Sequence, residues 1–108
     1  MNMNKGNLFA AIAGYIREEL LPGLAHGQGT RIERFVSRGQ ASPASGWLDQ
    51  ADNEWVVLLQ GVAHLEFENS AAVHLRAGDY INIPAHMKHR VAWTKPESET
   101  VWLAVHYS

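Results

Sequence analysis

From Trp47 to the C-terminus the chain is a succession of short apolar runs, each closed by a turn signal: EWVVLLQG, VAHLEFENS, AVHLRAGD, YINIP, HRVAWTKPE and TVWLAVHY. Runs of this length and period, with no helical pattern between them, bury their side chains as antiparallel strands. An all-β sandwich or barrel is therefore expected. TRIERFV alternates in the same way upstream, which starts the barrel at residue 30 and carries it to 108. Ahead of it, residues 7–21 are expected to form a short N-terminal helix. Asn7 suits the N-cap, Leu8, Ile12, Ile16 and Leu20 make one apolar stripe, and Pro22-Gly23 end it. With 108 residues and no linker or repeat, one domain covers the chain.

Alternation along a strand assigns side chains to faces. Leu65 and Phe67 share one face, His64 and Glu66 the other, and a hairpin about Asn69 sets His64 opposite His74 on the outside. In Glu54–Gln60, Glu54 is expected inward with Val56 and Leu58. Trp55, Val57 and Leu59 make the other face apolar too. That outer face needs a cover, from the helix or from a second subunit. Trp102 and Ala104 are expected to add to it, and a homodimer is expected on this ground. On the last strand Tyr107 is expected inward with Val101, Leu103 and Val105. On the strand before it, His89 is expected inward with Val91 and Trp93.

Composition removes several classes of function. There is no cysteine, so disulfides, thiolate nucleophiles and cysteine-ligated metals are excluded. A net charge of −2 without a basic cluster argues against nucleic acid. The apolar stretch LFAAIAGYI is too short to span a bilayer, and MNMNKGN lacks a secretory pattern, so a cytoplasmic location with no membrane partner is expected.

Residues 78–93 carry the chemistry. Gly78, Pro84 and His89 in GDYINIPAHMKHRV keep the spacing of the second motif of the cupin family, with His86 at its glycine position and Trp93 at its asparagine. Glu54 and Gly61 in EWVVLLQG match the end of the first cupin motif. That motif's H-x-H pair is missing. Its two positions fall on Leu48 and Gln50, or on Trp47 and Asp49 with the longer gap. The chain thus resembles a small single-domain cupin with a degenerate first motif. The resemblance implies a jelly-roll β-barrel with a divalent metal, iron, zinc, nickel or manganese, near its mouth. Carried over residue by residue, the ligands it implies are Glu54 and His89. Gln50 or Asp49 could supply oxygen at a vacated position, and His86 could swing in.

A small organic ligand is the expected partner. Trp47, Tyr80, Trp93 and Tyr107 are candidates to line its pocket, and Arg34, if inward with Ile32 and Val36, could hold a ligand carboxylate. Two functions follow. One is a metal-dependent dioxygenase, isomerase or lyase. The other is a metal-free module that binds or senses a ligand without turning it over. Without a metal, Glu54 and His89 could still act as an acid–base pair. The residues leave catalysis open.

Overall fold

A computed structural model of the chain describes residues 3, 5–10, 23–39, 41, 43 and 45–108. Among the described residues, eight strands form two antiparallel sheets: β1 (Gly23–Gly27), β2 (Thr30–Ser37), β3 (Asn53–Gln60), β4 (Val62–Phe67), β5 (Ser70–Arg76), β6 (Tyr80–Ile83), β7 (His89–Thr94) and β8 (Thr100–Tyr107). The larger sheet runs β1-β2-β8-β3-β6 and the smaller β5-β4-β7. The all-β expectation holds. A strand at 23–27, ahead of the expected start at residue 30, extends the larger sheet. Its sequence, GLAHG, has too few apolar residues to alternate, and it is held by pairing with β2.

The described residues contain no helix, and most of the span expected to be helical, from residue 11 onward, lies outside them. At its start, Asn7 Oδ1 accepts a hydrogen bond from the Phe9 amide at 2.8 Å, as an N-cap side chain does. No described helix is long and apolar enough to cross a membrane.

The core lies between the sheets. Val56, Leu58, Ile83, Trp102 and Ala104 from the larger sheet meet Ala63, Leu65, Phe67 and Leu75 from the smaller. Two glycines set the corners. Gly61, between β3 and β4, has φ = 97°, and a Cβ there would lie 2.8 Å from the Thr100 Cα. Gly78 has φ = 95° with open space around it, so its requirement is conformational alone.

Two face assignments are corrected. Trp102 and Ala104 point inward, because Leu58 pairs with Trp102, Val56 with Ala104 and Glu54 with His106. Val101, Leu103, Val105 and Tyr107 take the other face. Both faces of β8 are apolar, so alternation alone could not tell in from out. Trp93 is the second correction. The β4–β7 register runs Leu65↔Val91 and then His64↔Trp93, so β7 carries an extra residue, Ala92. This bulge reverses the parity after Val91. Trp93 turns outward and its ring lies 4.7 Å from that of His64. His64 in turn stacks on His74 at 3.9 Å, the pair expected from the hairpin.

Candidate functional site

Glu54 and His89 come together inside the barrel. His89 Nε2 lies 3.4 Å from Glu54 Oε1, and the side chains are only 5% and 12% exposed. Glu54 arrives on β3 in phase with Val56 and Leu58. His89 opens β7, and its ring is fixed by the preceding loop. That loop is pinned by Ala85 N donating to Asn53 Oδ1 at 3.0 Å and by His86 N donating to the Gln50 carbonyl at 2.8 Å. It presents the Met87 carbonyl 2.8 Å from His89 Nδ1. Both neighbours of the ring are acceptors, so His89 satisfies both only when Nδ1 and Nε2 each carry a proton. Burial pulls the His89 pKa down, but the bonds to Glu54 and to the Met87 carbonyl and the attraction of Glu54 outweigh it. The net shift is upward from 6.5.

The vacated first-motif positions divide by face. Leu48 and His89 exchange two backbone hydrogen bonds, at 2.8 and 3.1 Å, and are direct cross-strand partners. Their side chains therefore share a face. Leu48 thus stands beside His89, an apolar residue where the family has a ligand. Gln50 follows on the same parity. Asp49 takes the opposite one: its Oδ1 lies 2.8 Å from His86 Nδ1, with the two side chains 43% and 70% exposed. Asp49 and His86 form their own pair at the surface, separate from Glu54 and His89.

This donor set does not fit a metal centre of the family's kind. No group of three or more His, Cys, Asp or Glu among the described residues could hold a metal ion. Glu54 and His89 supply two donors, and the position beside them is a leucine.

The expected pocket residues lie elsewhere. Tyr107 is on the outer face, its hydroxyl donating to Asn82 Oδ1 at 2.5 Å. Tyr80 is 66% exposed and packs on Trp55, ring centroids 5.5 Å apart. Trp47 sits under the Arg90 guanidinium, 4.4 Å away, and Arg90 is tied to Glu66 on the outside of the smaller sheet. Arg34 shares the outer face with Val36 and donates to the carbonyls of Leu8 and Ala10 at 3.0 and 2.9 Å, so it anchors the N-terminal segment. A half-open cleft of about 470 Å³ lies between the β4–β5 turn and the 84–88 loop. Neither Glu54 nor His89 lines it. Phe67 does, and its ring is 6.1 Å from that of His89, so the cleft adjoins the pair across one aromatic side chain.

Two interior residues escaped the sequence reading, Glu33 and His106. His106 is 3% exposed and its Nε2 lies 3.0 Å from Glu33 Oε1. His106 alternates with Trp102 and Ala104 in TVWLAVHY, and Glu33 with Arg31 and Phe35 in TRIERFV, but alternation alone does not say which face is the inner one.

A family model described as "Cupin domain" matches residues 36–106. Among solved structures, a protein from Ralstonia eutropha JMP134 named "putative mannose-6-phosphate isomerase" is 44% identical, with a TM-score of 0.89 over 98% of this chain and 99% of that one. An RmlC-like cupin from Desulfovibrio desulfuricans matches at 16% identity and TM-score 0.74, over 98% and 97% of the two chains. The DMSP lyase DddQ from Ruegeria pomeroyi DSS-3 matches at 16% and 0.65, over 76% of this chain and 40% of that one. At such identities these last two show the fold alone. A search of curated proteins finds no match.

Proposed function

This chain belongs to the cupin family, and we propose that its barrel transfers protons on a small hydroxylated carbonyl compound, with Glu54 and His89 as the acid–base pair. The observation that carries this reading is a buried imidazole set between a carboxylate and a carbonyl, which favours its proton. An isomerisation fits such a pair. Glu54 takes the proton from the carbon next to the carbonyl while His89 gives one to the carbonyl oxygen. The resulting enediol regains a carbon-bound proton from Glu54 at the neighbouring carbon, and its other hydroxyl returns a proton to His89. The bonds balance without an oxidant or reductant. The likeness to the protein named "putative mannose-6-phosphate isomerase" supports sugars or sugar phosphates as the substrate class.

The dioxygenase and lyase readings need a metal held by Glu54, His89 and at most the Gln50 amide, a weaker set. The test is to incubate the protein with hexoses and hexose 6-phosphates in D2O and follow the C1 and C2 protons by NMR. Enzyme-dependent deuterium incorporation, lost in Glu54→Gln and His89→Gln with the fold intact, is expected. Saturable binding without exchange would place the chain among non-catalytic binding modules instead. The expected homodimer would use the outer face of the larger sheet, where Trp55, Leu103 and Val105 are half-buried. Sedimentation velocity would show one species at twice the chain mass.

A further inference from the structure

The larger sheet carries a row of polar side chains across its inner face, one strand to the next. Arg31 on β2 pairs with His106 on β8, and His106 pairs with Glu54 on β3. Directly opposed residues hold their Cβ atoms about 5 Å apart on one face. Hence His106 is the immediate neighbour of Glu54, the proposed base. Glu33 closes the group, its Oε1 3.0 Å from His106 Nε2 and its Oε2 3.2 Å from Arg31 Nε. Arg31 also reaches Asp52 at 3.5 Å.

His106 is the anomaly in this row. It is buried, and neither ring nitrogen has a hydrogen-bond partner, because the approach of Nε2 to Glu33 is close but out of line. Buried polar groups are almost always satisfied. Here the imidazole has a carboxylate on one side and Glu54 across the strand, while its neighbours on the inner face of β8 are Ala104 and Trp102, with Thr100 at the far end. The cost of such a group is recovered when a ligand supplies the missing partner.

Resting on the Glu54–His89 reading, we propose that His106, steadied by Glu33, is a substrate-binding residue that hydrogen-bonds a hydroxyl or carbonyl oxygen of the molecule on which Glu54 and His89 act. The row also states what that end of the substrate must be. It offers one imidazole, His106, and two carboxylates, Glu33 and Glu54, and its one guanidinium is already engaged by Glu33 and Asp52. An uncharged polyhydroxylated end fits there. A phosphate would meet two carboxylates and no free cation in the row, so any phosphate of the substrate stays outside it.

The test uses the full chain labelled with 15N at histidine, titrated with D-mannose and D-fructose while the ring nitrogens are followed by long-range 1H–15N NMR. His106 and His89 signals are expected to move together along one saturation curve. His106→Gln is expected to raise the half-saturating concentration about tenfold, the weight of one hydrogen bond. Movement of His89 with His106 stationary would overturn the inference and leave the acid–base pair standing. If neither moves, binding of these sugars at His106 is refuted, and the pair is judged separately by deuterium exchange. Should His106→Gln fail to fold, the wild-type titration decides alone.

Discussion

His86 holds φ = 62° in a position where the family's motif has glycine. Left-handed backbone costs a residue with a Cβ about 1–2 kcal/mol. The structure offsets this by the His86 amide bond to the Gln50 carbonyl and the Nδ1 contact with Asp49. Replacing His86 with glycine relieves the strain but removes the side-chain contact, worth about 1 kcal/mol. The expected change in urea-unfolding free energy is therefore under about 1 kcal/mol; a large loss would mean that the Asp49 pair is a principal tether of the loop. Gly61 differs, because its Cβ would meet the Thr100 backbone as well as a left-handed φ. Gly61→Ala should cost about 3 kcal/mol, the sum of overpacking and backbone strain. A value near zero would show that the β3–β4 corner relaxes freely.

The tryptophans separate the faces at the scale of elements. Trp102 is 4% exposed at the centre of β8, and its Nε1 donates to Ser37 Oγ at 3.3 Å. Trp93, beyond the β7 bulge, is 37% exposed. Trp102→Ala should lose about 3–5 kcal/mol and Trp93→Ala about 1 kcal/mol, the weight of its ring contact, both measured by denaturant unfolding. Equal losses would contradict the register given for β8. Alternation made β4 and β5 legible, because each has one apolar face and one polar face, and on β3, apolar on both, it kept Glu54 in phase with Val56 and Leu58. It did not decide β8, apolar on both faces, and it could not see Ala92, whose extra residue is set by pairing with β4 and not by local sequence. The aromatic pocket rested on those two strands and on Trp47 and Tyr80, which pack outside. Spacing found Glu54 and His89 because the family's motifs fix both positions. It could not divide Leu48 and Gln50 from Trp47 and Asp49, because the choice depends on the backbone pairing of Leu48 with His89.

For the whole molecule, the buried pair couples folding to pH. The folded state raises the His89 pKa above 6.5, so it binds that proton more tightly than the unfolded chain does. The contribution is full below 6.5 and disappears as pH rises through the folded value. Wild-type stability should fall across that window, and the slope should shrink in Glu54→Gln, where burial faces only the Met87 carbonyl. Urea midpoints measured at a series of pH values check this. The most direct test of the acid–base pair is the titration of the His89 ring followed by NMR at its Cε1 proton, in wild type and in Glu54→Gln. We expect a midpoint above 6.5 in the wild type, moved down in the variant. A wild-type midpoint at or below 6.5, or one that Glu54→Gln leaves in place, would contradict the pair and with it the proposed chemistry.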